Sequence, residues 1–542
     1  MTRTLGALAV NVALISGLAT AAMSQEHAHQ RGAVDTLGAV HFATSCRPAV
    51  APEFDHAVSL LHSFEFGAAI RGFGSVLAAD STCAMAYWGI ALSRWGNPMA
   101  AGAKSPAQLQ QGREAAAAAA RVAAHATERE RLYAAAVGQL YDDYEHVDQR
   151  TRVVNYEHAM ASLVAKQPAD TEAMIFHAIA LTASAPPTDK TYANQLRAGR
   201  MLESLWVKQP NHPGLAHYII HTYDVPALAP RAAAAAERYA RIAPSAAHAL
   251  HMPSHTFTRV GQWNESIETN RRSIDAALAG NSISEALHAS DYLVYAYLQQ
   301  GRDSAASAVL RGLPALAARF DVNAVAGAAP GSAGVFALAA IPARYALERH
   351  DWARAASLEL PPNANQFPWT AAMVYFARGI GATRLGDVAA AGAATDSLSA
   401  AQDRLRKSGE DYWAEQVAIQ ELGVRAWRYL ARKQADSALS LMRAAAQRED
   451  ATEKNAVTPG PLAPARELLG DMLMELQRPG EALAAYRGTL QREPNRFRAM
   501  YGAMRAAMAS GDRRAVARYK SSLRTLCAKA DVPGRAELRE IR

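Results

Sequence analysis

Between Ala463 and Pro494 small, apolar and polar positions alternate with helical period. Leu469-Gly470 and Leu473 fall on one face of a first helix. Ala482, Tyr486 and Pro494 follow at the spacings of a small residue, an aromatic and a terminal proline in a second helix. Gly and Ala let two antiparallel helices approach, the aromatic fills the gap to the next pair, and the proline ends the unit. Weaker copies recur. Ala69, Phe73 and Asp80-Ser81 close one unit, and Ala198, Leu202 and Pro210 close another. Gly261, Gly301, Asp351-Trp352, Gly386-Asp387 and Gly511-Asp512 mark turns between helical runs, at intervals of about 33 to 50 residues.

This pattern resembles the tetratricopeptide repeat (TPR) superfamily, whose unit is 34 residues long. The expected fold is an all-α, right-handed TPR-type α-solenoid, with regular turns excluding a coiled coil. Expected boundaries are an N-terminal array over 49–322, a flexible loop at 323–335, a C-terminal array over 336–527 and a tail at 528–542. Residues 97–112 and 447–464 read as further loops.

Composition explains why such an array suits this chain. Half of the 542 residues are hydrophobic, but only 7% are aromatic, and Ala is abundant. The net charge of +7 is spread thinly and does not indicate nucleic acid. Arg513, Arg514, Arg518, Lys520 and Arg524 form a basic helix without interleaved aromatics, which reads as a solvated face.

The N-terminus reads as an export signal. Arg3 precedes an apolar stretch from Leu5 to Ala22, and small-residue triplets place cleavage near Ala21 or Ser24. Residues 1–24 are thus expected to be a signal peptide and 25–48 a tail. The mature protein is expected to be periplasmic or secreted, with no stable membrane span after cleavage. Export permits a disulfide, and Cys46 and Cys83 are the pair available, two buried free thiols being the alternative.

Four segments narrow the resemblance: CAMAYWGIALS from Cys83, HALHMPSHTFTRVGQW from His248, IPARYALE from Ile341 and TEKNAVTPGPLAPARELLGDML from Thr452. They are similar to a family of exported bacterial TPR proteins of undefined biochemical activity. The resemblance implies fold and export and implies no reaction. Asn455 stands where that pattern often has His, which argues against metal in its loop.

Chemistry concentrates in the histidines. Six of the 17 (His212, His217, His221, His248, His251 and His255) fall within 44 residues, where an even spread would put one or two. His217 and His221 are i, i+4; His248, His251 and His255 are i, i+3, i+7, so each set shares a helix face. His248 and His255 are too far apart along one axis to serve one ion. The expected metal set is therefore His217, His221, His251 and His255, with Asp224 as ligand or tautomer-fixing acceptor and His248 nearby. Zinc, copper, iron and nickel all accept imidazole. The repeat register also puts these histidines, with His288 and Asp291, on a concave groove. There Tyr218, Tyr223, His288, Asp291, Tyr292 and Tyr295 would face a protein or peptide partner, and purely structural histidines are a third reading. Pro253 introduces a further alternative: a helix starting there would leave His248 and His251 in a loop.

Other candidates are weaker. His27 and His29 form an HxH near the mature terminus, and His41, His56 and His62 a looser group. Tyr412, Trp413, Gln416 and Gln420 share a helix face, and the loop from Arg448 to Glu467 is long and charged. No GxGxxG, P-loop, HExxH, GxSxG or zinc-type cysteine pair occurs, so no catalytic residue is assigned. The expected function is an exported scaffold binding a peptide or protein in its groove. The alternative is a periplasmic metal-binding protein, with a metal-dependent enzyme as its extension.

Overall fold

The repeat unit is clearest where its aromatic sits. Helices Ala465–Glu475, Pro479–Arg492 and Phe497–Ala509 pack consecutively, and Tyr486 of the second lies between Gly470 and Gly502 of the other two. A Cβ at either glycine would come within 2.6 Å of the Tyr486 ring, so only glycine admits it. The Tyr486 hydroxyl donates to Asp471 at 2.6 Å. Turns close as the sequence indicates. Gly301 has φ +67°, a left-handed conformation cheap only for glycine, and Arg302 N–H reaches back to the Tyr297 carbonyl. Asp351, Asp387 and Asp512 each cap the next helix by accepting a backbone N–H.

The computed structural model describes residues 36–99, 104–186, 188–325 and 327–541. The expected signal peptide over 1–24, the start of the expected tail and the His27–His29 pair lie outside them. Among the described residues there is no strand, and no helix is long and apolar enough to cross a membrane. From Leu37 to Arg542 the chain is one unit, an α-solenoid of antiparallel helix pairs in which each helix packs on its sequence neighbours.

Three boundaries need correction. Residues 37–48 are not a loose tail: Leu37 and Phe42 enter the core, Ala39 N–H donates to Asn211, and Cys46 is disulfide-bonded to Cys83. Residues 323–335 are not simply a flexible divider. Helix Gly331–Glu348 begins within them, and Ala329 N–H donates to the buried Glu285 carboxylate. Residues 528–542 are likewise packed: Leu538 and Ile541 are buried, and the Arg535 guanidinium pairs with Asp303.

The second half of the array folds back on the first. Trp263 Nε1 donates to the Asn495 carbonyl, and Phe497 N–H donates to Gln299. The loop over 452–464 crosses helix Ile283–Gln299, where Tyr292 donates to the Thr458 carbonyl and Arg344 bridges Asp291 to the Gly460 and Pro461 carbonyls. The concave side of the histidine-bearing repeats is therefore covered by the chain itself.

Tyr486→Ala is expected to leave a void between two helix pairs and to lower the urea midpoint by the equivalent of about 3–5 kcal/mol. Circular dichroism through a urea titration checks this; an unchanged midpoint would contradict the packing role.

Candidate metal centre

Four helices supply six buried histidines. Helix Pro213–Thr222 carries His217 and His221 one turn apart. Helices Ala247–His251 and Pro253–Arg259 carry His248, His251 and His255. Helix Ile283–Gln299 carries His288. A helix does start at Pro253, yet His248 and His251 lie on a short helix before it and not in a loop. Met252 joins the two with helical φ −52° and ψ −37°. Its N–H donates to the His248 carbonyl, so the proline interrupts one helical path without uncoiling it.

The rings sort into two triads, and not into the expected tetrad. His217, His221 and His248 bring a ring nitrogen each within 4.8 Å of the others, and so do His251, His255 and His288. His248 is thus a full member of the first group. His288, expected on a partner-facing groove, completes the second. The triads adjoin, with His221–His255 and His248–His251 ring centroids 6.0 Å apart.

In the first triad the tautomers are set by neighbours. His217 Nδ1 donates to the His62 carbonyl at 2.6 Å, and His248 Nδ1 donates to Glu285 at 3.0 Å. Each ring must then turn an Nε2 lone pair inward. Those two nitrogens and His221 Nε2 are buried and have no hydrogen-bond partner among the described residues. Phe64 packs against all three rings, and Tyr239 stacks on His217. Burial, then the neighbouring imidazoles, holds His217 and His221 well below the ordinary histidine pKa, so both are neutral.

The second triad is more constrained. Asn270 Nδ2 donates to the Ser266 carbonyl, which turns its Oδ1 toward His251 Nδ1 at 2.7 Å. That nitrogen must be the donor. His255 Nδ1 donates to Asp224 at 2.9 Å, a carboxylate kept ionised by Arg259 and Lys454. Both Nε2 atoms therefore carry lone pairs, and they face each other at 3.0 Å. Such a pair repels unless a cation lies between. A proton is disfavoured because burial pushes His255 down to about 4 and His251 well below its usual value. A transition metal resolves the repulsion: two imidazole nitrogens on one tetrahedral zinc stand about 3.3 Å apart. His288 supplies the third ring nitrogen of the group, and its Nδ1 is buried with no hydrogen-bond partner among the described residues.

Asp224 is not positioned as a ligand. One oxygen takes Arg259 and the other takes His255 and Lys454, so it orients and polarises His255 instead. Glu285 and Asn270 play the same part for His248 and His251. Glu285 lies three residues before His288 on one helix, a spacing that could have singled it out.

A third histidine group behaves differently. His62 and His212 each donate to one oxygen of Glu172, at 3.0 and 2.9 Å, and His62 Nδ1 meets the Tyr218 hydroxyl. Glu172 is thereby paired on both oxygens, while His212 Nδ1 is buried with no hydrogen-bond partner among the described residues, and the three ligand atoms lie within 4.8 Å of one another. His41, by contrast, is exposed against Asp55, so it shares no site with His62.

The expected groove residues are all buried. Tyr218 joins the His62 network. Tyr223 fills the space over Gly199 and donates to Glu203. Asp291 pairs with Arg344, Tyr295 lies between Arg496 and Glu493, and Tyr292 is under the covering loop. The chain's own loop lies across Tyr292 and the Asp291–Arg344 pair, while Tyr218 and Tyr223 are buried between helices. Asn455 caps that loop: its Oδ1 accepts Val457 N–H and its own N–H donates to Tyr412.

Acid should destabilise the metal-free protein. A histidine whose folded pKa lies below its unfolded value of 6.5 stabilises the fold in full above 6.5, and that contribution is lost as pH falls toward the folded value. With His255 at about 4 and His288 at about 3, metal-free protein is expected to lose stability steadily from pH 6.5 to 4. Urea midpoints across that range check this, and a His255→Gln, His288→Gln variant should show a shallower decline.

No family model matches the chain, and no curated protein is similar to it. Among solved structures, the human IFIT1 dimer with m7Gppp-AAAA is 12% identical, with 82% of this chain and 90% of that one covered and a TM-score of 0.37. Yeast Tom70 is also 12% identical, with 86% and 96% covered and a TM-score of 0.34. Both are helical-repeat proteins of TPR type. Likeness at this level carries nothing about the histidine site.

Proposed function

We propose that this protein is an exported metal-binding solenoid holding two transition-metal ions, one in each histidine triad. The observation that carries the reading is the pair of inward lone pairs on His251 and His255, 3.0 Å apart and held so by Asn270 and Asp224. Neutral imidazoles suit zinc, copper, iron or nickel, and no thiolate is near to favour a softer ion. The apolar N-terminal stretch and the Cys46–Cys83 disulfide support action outside the cytoplasm. Three protein ligands leave a coordination position for water or another molecule, as at catalytic rather than structural zinc.

Elemental analysis of untagged protein from metal-replete cells tests the reading. About two ions per chain are expected. His217→Ala with His248→Ala should leave one, and His251→Ala with His288→Ala should leave the other. Protein without metal, or metal retained when all four are replaced, would sink the proposal.

A further inference from the structure

The loop that covers the triads also walls a cleft on its outer side. Two features singled out separately in the sequence meet there: the aromatic and amide face of helix Asp411–Ala431, and the charged loop over 448–467. At one end Trp413 stacks on Trp369 at 4.6 Å beside Phe336, Met373 and Val417. Elsewhere the lining carries both signs in equal number, four basic and four acidic residues, among them Arg492 and Glu453.

Several polar atoms there retain hydrogen-bonding capacity. Glu453 Oε1 accepts from Lys190 and Tyr192, but its Oε2 has no hydrogen-bond partner among the described residues, and Arg492 stands off at 3.7 Å. Gln420 Oε1 is likewise buried and without a donor. The Tyr412 hydroxyl accepts Asn455 N–H and so keeps its own proton to give. The cleft thus offers acceptors for N–H groups at Glu453 and Gln420, a donor for a carbonyl at Tyr412, an apolar end, and for a carboxylate the Arg492 guanidinium, whose nearest carboxylates stand at 3.7 and 3.9 Å.

We propose that this cleft binds a short peptide with free termini. The alternation of charge selects that chemistry. A phosphate would need an excess of cations, and here four acidic side chains stand among four basic ones. A neutral sugar carries no ammonium for Glu453 Oε2 and no carboxylate for Arg492. A free-ended peptide supplies an ammonium, a carboxylate and amide pairs, and an apolar side chain fills the tryptophan end. Lys454 is common to cleft and metal centre: the residue lines the cleft, and its ammonium lies 3.3 Å from Asp224, which holds His255. A bound peptide would therefore lie one residue away from the second triad. Peptide recognition here does not require the metal, so the two readings stand or fall separately.

Isothermal titration of the full-length protein as purified tests this, with metal content measured on the same sample. The probes are tri-alanine with free termini, tri-alanine blocked at both ends, inorganic phosphate and maltose. Saturable binding of the free tripeptide is expected, with the blocked form at least tenfold weaker. Glu453→Gln should weaken the free tripeptide by a similar factor without altering metal content. Absence of tripeptide binding at millimolar concentration, equal binding of the blocked form, or tighter binding of phosphate or maltose would overturn the proposal. If Glu453→Gln fails to fold, the probe series on the unaltered protein decides. A metal-loaded protein that ignores the peptide refutes the cleft alone, and a metal-free protein that binds it refutes the metal centre alone.

Discussion

Everything around the histidines follows from one constraint: buried imidazole nitrogens that face each other must share a cation or repel. An unpaired polar atom in a protein interior costs about 1–3 kcal/mol. This chain arranges several in one place, and it does so with partners that remove the alternatives. Asn270, Asp224, Glu285 and the His62 carbonyl each take the outward ring proton. Each thereby turns a lone pair inward. These orienting groups come from three helices and the turn that follows Thr222, so the arrangement depends on how those elements pack. In the Glu172 group a carboxylate takes a ring proton from each of two histidines, so those two Nε2 atoms do not face each other as lone pairs.

The repeat architecture supplies the rigidity. Stacked helix pairs place His217 and His221, His251 and His255, and His288 on successive first helices, one layer apart. A solenoid usually leaves that side open as a binding surface. Here the loop over 452–464 closes it, and Arg344 fastens the loop through a fully buried pair with Asp291. A buried ion pair is a poor source of stability, because desolvation offsets most of its attraction. It specifies where the loop lies, and by excluding water it keeps the imidazoles neutral and available. The fold therefore combines a sealed interior site with a cleft outside the seal.

Much of this was legible in the sequence. The turns at Gly301 and Gly511, the Gly470–Tyr486 packing and the shared faces of His217/His221 and His251/His255 depend on local spacing, which one helix enforces. The partition into two triads was not legible. It depends on the break at Met252-Pro253, where one helix ends and the next begins, and on the contribution of His288 from the next repeat. The burial of Tyr292 and Asp291 was also hidden. Their cover comes from residues more than 160 positions later, and helical periodicity carries no information about which distant loop crosses a face. For the same reason Lys454 reads as a surface charge in sequence and proves to be packed against Asp224.

X-ray absorption at the edge of the bound metal tests the central claim most directly. The account predicts a first shell of nitrogen and oxygen at about 2.0–2.1 Å for zinc, with outer-shell scattering from three imidazoles per ion and no sulfur. A shell without imidazole scattering would contradict it, as would a six-oxygen shell typical of an ion held at the surface.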